Sequence, residues 1–599
     1  MAEPEETVPY ESDLELLRRY EPVLSYTDGE RFFPVAVEDY LACCGLWRGE
    51  EQLVPAGELT AEVLVATAER YPESQLSLLL VQEPFHRKEV RRYTRAKPPI
   101  AKSGRLAAVG LFGRVFDVLL RASLFLRGSV PGGVAAAAAD LYERRMNPAR
   151  CTYYGRVVRE GGYVALQYYF LYAMNDWRTT FSGVNDHEAD WEAVTIYLAE
   201  SPAGPRPAWV AVSAHDESGD DLRRRWDDPD LRLAGEHPVI YVGAGSHSGA
   251  FVRGRYLVTV NPARLRPILR GTRRVTAFAF PWTREGRRHS GVGIPFIDYA
   301  LGDGEEVGPS RARGWHPVVI SDETPWVSGF HGLWGRDTRD WVGGERAPAG
   351  PRYDRDGRVR TLWADPLGWA GLQKVPPEPE DDVRALRDRI AILDKEIADA
   401  DATIEHDREE LRRLRAAAVS LGRHENARGL ARQRSAEVVK AENALRALVR
   451  TRTDLAEERA AHDATLARPP AVGRPQEHLR EPNVPYTPTR GSRTRFLNVW
   501  AALSTPLFIL AVVGVFVVPH EPVSILLAGV VFLFLTMEAW ARRRMLALAT
   551  GLLMLAGAVA VVVGLSFAVV YGGRYVLLGP MVVVAAVLLV VNLRELFRS

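Results

Sequence analysis

Four apolar runs close to the C-terminus constrain this chain more than any other feature: Phe496 to Val518, Val523 to Trp540, Met545 to Val570 and Tyr575 to Val591. As helices, each is long enough to cross a hydrocarbon layer of about 30 Å. Four crossings bring the chain back to its starting side. Arg490, Arg493 and Arg495 precede the first run, Arg542, Arg543 and Arg544 join the second to the third, and Arg594 and Arg598 follow the fourth. The opposite turns hold Pro519-His520-Glu521-Pro522 and Arg574. This bias places both termini and everything before the runs on the cytoplasmic side. Glu538, the one acid in the runs, lies near an inner end, where it is expected to snorkel or to pair with Arg542. The acidic opening Met1-Ala2-Glu3-Pro4-Glu5-Glu6 carries no secretory pattern, in keeping with a cytoplasmic body.

The remaining residues are water-compatible. Charged side chains make up 25% of the 599 residues and the formal net charge is +1, so nothing marks a nucleic-acid partner. Three cysteines, with Cys43-Cys44 adjacent and Cys151 alone, exclude a disulfide framework, and the adjacent pair reads as small packing residues. Pro376-Pro377-Glu378-Pro379 closes the first module. Beyond it, Val383, Leu386, Ile390, Leu393, Ile397, Ala400, Ile404, Leu411, Leu414, Ala418 and Leu421 recur in steps of three and four, interrupted by Asp407. Gly422 to Asn426 offers a reversal, and Val438, Ala441, Leu445, Leu448 and Leu455 resume the seam. The pattern predicts a coiled coil, either as a helical hairpin within the chain or between copies as a homo-oligomer. Repeated prolines from Arg468 to Thr489 predict a linker. The expected fold is multidomain α+β with a membrane region. It has a mainly β, sandwich-like soluble body over 1–375, a coiled-coil or hairpin stalk over 380–467, a linker over 468–495 and four transmembrane helices over 496–593.

Within the body, Tyr163 to Asn175, Ala208 to Val212, His237 to Val242 and Tyr256 to Val260 are rich in β-branched and aromatic residues and predict strands. Leu106 to Leu126, with Arg114 and Arg121 inside it, predicts an amphipathic helix resting on the inner leaflet or on the sandwich. Trp326, Trp334, Trp341, Trp363 and Trp369 either close a core or line a groove.

The chemistry concentrates in Asn185-Asp186-His187-Glu188-Ala189-Asp190-Trp191-Glu192, which opens into the strand-like Ala193 to Leu198. Strand alternation puts Asp190 and Glu192, with Glu188, on one face and Trp191 and Ala193 on the other. Carboxylates crowded in this way repel unless they share a proton or a cation. His187 can complete a mixed site, and Asp176 can join from the end of the preceding strand. The alternative is a salt-bridged turn neutralised by Arg178 and other arginines.

Two resemblances extend this reading. Leu16 to Leu24, Asp28 to Val35, Gly183 to Glu192, Tyr241 to His247, Trp334-Gly335 and Gly343 to Pro348 resemble signatures of the Vps62-like family, over roughly residues 14–375. More distantly, the cluster resembles that of the necrosis-inducing cytolysins, whose β-sandwich carries a divalent cation. That resemblance implies Asp176, His187, Asp190 and Glu192 as metal ligands, with His215 and His247 as further pocket histidines. The cytolysin pattern has a basic residue and a histidine where this chain has Glu188-Ala189.

Three classes of function stay open. One is a binding module in which Mg²⁺ or Ca²⁺, with Zn²⁺ as the softer alternative, bridges carboxylates to a membrane lipid headgroup or glycan. Another is a metal-assisted hydrolase with His215 or His247 as proton-transfer group. The third is a membrane scaffold without catalysis.

Overall fold

The computed structural model describes the chain except for residues 1–11, 73–74, 97–104, 127–131, 178–185, 202–203, 215–218, 220, 261–291, 337–346, 378, 468–474, 480–484, 486–491, 518–522 and 572–599. It is a multidomain α+β protein.

The body is organised around a six-stranded sheet. Its strands are β5 (Cys151–Glu160), β6 (Tyr163–Asn175), β7 (His187–Ala199), β8 (Arg206–Val212), β9 (Arg223–Arg225) and β16 (Trp315–Val319), in the order β16-β5-β6-β7-β8-β9. Only the β16–β5 pair is parallel. Every residue of β6 is buried, because both faces of this sheet are covered. That is why its sequence is almost continuously apolar rather than alternating.

One face carries Leu166, Tyr168, Phe170, Tyr172, Val194, Ile196 and Val210, which pack with Leu24, Ile240 and Val307. These last three come from a second sheet of five strands, β1 (Val23–Ser25), β10 (Arg232–Ala234), β11 (His237–Val242), β12 (Gly249–Ala250) and β15 (Glu306–Val307). The opposite face carries Tyr154, Tyr169, Leu171, Trp191 and Ala193. It is covered by helices α2 (Val37–Cys43), α3 (Ala61–Arg70) and α7 (Gly133–Arg145) and by the small sheet of β2 (Gly45–Arg48), β3 (Glu51–Val54) and β4 (Leu76–Leu79). Trp326, Trp334 and Trp363 are buried in this core, Trp191 stacking on Trp326 at 6.0 Å and meeting Trp334 edge-on at 5.2 Å. Core closure is thus the use of these three, while Trp341 lies outside the described residues. Cys43, Cys44 and Cys151 are buried and unpaired.

The predicted stalk is an antiparallel helical hairpin within one chain, formed by Pro379–Gly422 and Arg428–Leu466. Arg389–Glu458 and Asp394–Arg459 bridge its open end, and from there through Asp401–Arg452 to Arg415–Glu442 partner numbers fall on one helix as they rise on the other. Leu393, Ala400, Ile404 and Leu411 are its buried seam.

Two helices are long and apolar enough to cross a membrane, Arg495–Val517 and Val523–Ala541. A third helix covers Met545–Tyr571, of which Met545–Gly557 is a shorter apolar stretch. The fourth run, 575–591, lies outside the described residues, so these show two such helices rather than the expected four. Within the expected linker, Gln476 donates to Asp228 at 2.9 Å and to Asp230 at 2.8 Å, and His478 packs edge-on against Trp209. Residues 475–479 therefore lie as a strap on the body, because the side chains that a linker was expected to expose find polar partners beside β9.

Candidate functional site

The pairing of β6 with β7 sets Tyr172 opposite Asp190 and Asn175 opposite His187. Alternation holds for Asp190 and Trp191, since Asp190 lies beside Tyr172 and Trp191 is in the opposite core. It fails at Glu188. Ala189 has φ +53°, a left-handed angle that interrupts the alternation, and the Glu188 carboxylate is buried beneath the other face. There it accepts from the backbone N–H groups of Leu80 (3.2 Å), Val81 (2.8 Å) and Arg336 (3.1 Å). Burial pushes its carboxyl up to about 6 in spite of these donors. The expectation that Glu188 joins Asp190 and Glu192 is therefore corrected: it ties β7 to the end of β4.

His247 lies in the turn after β11 and reaches Asp190, its Nδ1 standing 3.0 Å from Oδ2. Asn175 donates to the same oxygen at 3.2 Å. The imidazole stacks on Tyr172 with ring centroids 3.7 Å apart and planes 5° from parallel, and the Tyr172 hydroxyl meets that of Tyr26 at 2.9 Å. Its Nε2 is 3.9 Å from Glu30 Oε1, too far for a hydrogen bond. Glu30 in turn accepts from the backbone N–H groups of Arg31, Phe32 and Gly245. Two buried polar atoms here have no hydrogen-bond partner among the described residues, His247 Nε2 and Asn175 Oδ1. Such orphans are uncommon and point to a missing ligand, ion or water. His247 also has φ +56°, an angle unusual for a residue other than glycine.

The other sequence-derived residues stand around this centre with separate partners. Asp176 accepts from Arg31 at 2.7 Å, the kind of pair that the alternative salt-bridged turn called for; Arg178, named in that alternative with other arginines, lies outside the described residues. Glu192 accepts from the Ser213 hydroxyl. His187 has Nδ1 2.7 Å from the Ala189 carbonyl, and burial lowers its pKa and favours the neutral ring. His215 lies outside the described residues. Asp176, His187, Asp190 and Glu192 do not converge as a group with mutual ligand-atom distances within 4.8 Å. Among the described residues the group that does so is His406, Asp407 and Glu410, on the exposed hairpin.

Of the residues singled out from the sequence, the structure brings Asp190 and His247 into contact; the atoms around them were not among those singled out. Glu30, Asn175 and Tyr172 come from a loop and a strand whose approach is set by tertiary packing. Their only signals were the strand end at Asn175 and the acidic turn Asp28-Gly29-Glu30. In donor type the cluster fits a hard divalent cation: carboxylates from Glu30, Asp176, Asp190 and Glu192, one amide oxygen and imidazole nitrogens, with Arg31 paired to Asp176 and Arg355 acting on His187.

No protein-family model matches the chain, and no curated protein matches it. The Vps62-like resemblance thus has no counterpart in either comparison. Among solved structures, 18% of the chain is similar to 46% of NLPPya in complex with mannosamine, at 20% identity and a TM-score of 0.14. The same share is similar to 48% of Necrosis and Ethylene inducing Protein 2 from the causal agent of cocoa's Witches Broom disease, at 20% identity and a TM-score of 0.15. A third structure, described as a toxin fold for microbial attack and plant defense, is covered over 38% at 22% identity and a TM-score of 0.12. The chain spans less than half the length of each, and the likeness is local.

Proposed function

We propose that the body is a divalent-cation-dependent binding module for a lipid headgroup or glycan, held at the inner face of a membrane by four C-terminal spans with both termini cytoplasmic. The observation that carries the reading is the pair of buried atoms without partners among the described residues, His247 Nε2 and Asn175 Oδ1, on either side of the Asp190 carboxylate. Glu30, Asp190 and Glu192 all stand close enough to the buried Tyr172 hydroxyl to disfavour its ionisation, a crowding of negative charge that a cation offsets. Asp176, His187, Asp190 and Glu192, which stand apart from one another, would have to draw together to hold the ion, with His247 beside them. Mg²⁺ or Ca²⁺ suits the oxygen-rich set, and Zn²⁺ suits one in which the imidazoles join. When bound, the ion supplies open coordination positions for hydroxyl or phosphate oxygens of the ligand.

A second reading rests on the same Asp190–His247 contact. A carboxylate that orients an imidazole prepares its other nitrogen for proton transfer, as a hydrolase requires. Calorimetry on metal-stripped full-length protein in detergent tests the preferred reading. Wild type is expected to bind one divalent ion, while Asp190→Asn and Glu192→Ala lose binding and keep their melting temperature. If Mg²⁺, Ca²⁺ and Zn²⁺ leave wild type and both variants indistinguishable, the reading is wrong. Mass analysis of lipid and glycan mixtures after incubation separates the two readings, since product formed by wild type and not by Glu192→Ala favours the hydrolase.

A further inference from the structure

Helix α6 (Leu111–Leu126), which follows α4 (Arg87–Ala96) and α5 (Arg105–Ala108) in the chain, is built inside out. Over residues 111–119 its charged side chains, Arg114 and Asp117, are 1% and 3% exposed, whereas Phe112 is 64% and Leu119 49% exposed. Phe112, Phe116 and Leu119 fall at i, i+4 and i+7 along one face, and Arg114 and Asp117, three apart, lie on the other. A surface helix in water shows the opposite arrangement, apolar stripe inward and charges outward. Within a membrane, ionisable side chains face the protein interior and find partners there, and apolar ones face lipid.

The side-chain partners of Arg114 belong to the two helices that are long and apolar enough to cross a membrane. Its guanidinium meets both oxygens of Glu538, at 3.2 and 2.8 Å, and donates to Thr505 Oγ1 and Ser504 Oγ, each at 3.0 Å, and to the Val109 carbonyl at 2.8 Å. Glu538 is completed by Trp500 Nε1 at 2.6 Å and Arg542 Nε at 2.5 Å, and Arg542 also donates to the Val109 carbonyl. Ser504 and Thr505 stand nine and ten residues along the first apolar helix from Arg495, roughly 14 Å at the helical rise per residue. Along the second apolar helix Glu538 precedes Arg542 by four residues, roughly 6 Å, so Arg114 lies inside the apolar length toward its body-side end. Exposed Val499, Leu503, Leu507 and Leu510 continue the uncovered apolar surface along that helix. With 16 residues, α6 is shorter than the ~20 needed to span.

We propose that α6 is a membrane-embedded element of the soluble body: it lies among the acyl chains of the leaflet nearest the body, locked to the transmembrane pair by Arg114 and Glu538. Its occupant on the open face is lipid, because that face is continuous with the exposed face of the apolar helices. The body is thereby docked on the membrane as well as tethered by its linker. This inference rests on the membrane reading of the C-terminal helices, and the test separates the two.

Single cysteines at 112, 119, 319 and 510 in the full-length protein are labelled with bimane and reconstituted into phosphatidylcholine vesicles. Position 510 reports the membrane helix, and Val319, exposed on the body, reports water. Acyl-chain-brominated lipid is expected to quench 112 and 119 nearly as strongly as 510 and several-fold more than 319, and aqueous iodide to do the reverse. If 112 and 119 follow 319 while 510 is quenched by lipid, the proposal is overturned and the membrane reading survives. If 510 also escapes lipid quenching, both fall. As a second measurement, Arg114→Met alone leaves Glu538 with fewer partners and is expected to raise iodide access at 119 several-fold. The double variant Arg114→Met with Glu538→Met should restore protection. Unchanged access in the single variant would contradict the lock.

Discussion

His247 holds an imidazole on Tyr172 and Asp190 only because its backbone accepts a left-handed angle. Asparagine tolerates that angle well, so His247→Asn separates backbone from ring. The variant is expected to melt within a few degrees of wild type and to lose cation binding in calorimetry; retained binding would remove the imidazole from the site. Glu188 is the opposite case, a carboxylate in the conspicuous acidic run that serves the fold. Glu188→Ala strands three backbone N–H groups in a buried place and should cost on the order of 3 kcal/mol in denaturant unfolding. Residue type and spacing led to Asp190, and the cytolysin resemblance to His247. They did not separate Glu188 from Glu192, because the deciding fact is the φ of Ala189, and alanine carries no sequence signal for a left-handed angle.

At the scale of elements, β6 and β7 were legible because β-branched and aromatic residues run unbroken between turn signals, and the hairpin because its seam repeats over many turns. Leu393 is fully buried in that seam, so Leu393→Ala should lower hairpin stability by about 2–4 kcal/mol, read from thermal loss of helical signal. Arg452→Ala, at an exposed pair, should leave the melt nearly unchanged. The strap over 475–479 was not legible, since Gln476 and His478 are ordinary linker residues until a surface is brought to them. His478 packs on Trp209 and the Arg223 carbonyl beside Arg223, Arg224, Asp228 and Asp230. Burial, reinforced by both arginines, lowers its pKa from 6.5. A depressed histidine contributes stability above its unfolded pKa and loses it as pH falls through the folded value. Hydrogen exchange at 475–479 should thus accelerate as pH drops below about 6.5, after correction for intrinsic rates. His478→Gln should flatten this pH dependence.

At the scale of the molecule, the body, the hairpin and the apolar helices follow one another in the chain, yet Arg114 and Glu538, 424 residues apart in sequence, form a buried pair. Sequence reading recognised both the amphipathic stretch at Leu106 to Leu126 and the lone acid at Glu538 but offered no means of joining them. Each found a local explanation, a leaflet or the sandwich for one and Arg542 for the other. The bias of arginines makes a further expectation. Single cysteines in the 542–544 turn should label from the cytoplasmic side and one at 520 from outside, and exclusive external labelling at 543 would invert the topology.

The most direct measurement is binding of soluble headgroups, such as inositol phosphates, glycerophosphates and short oligosaccharides, to the metal-stripped full-length protein in nanodiscs, with and without added Ca²⁺, Mg²⁺ or Zn²⁺. Wild type should bind a headgroup tightly only when a divalent ion is present, and Asp190→Asn should not respond to the ion. Binding that is equal with and without every cation, or equal in wild type and Asp190→Asn, would contradict a cation-bridged binding module at this site.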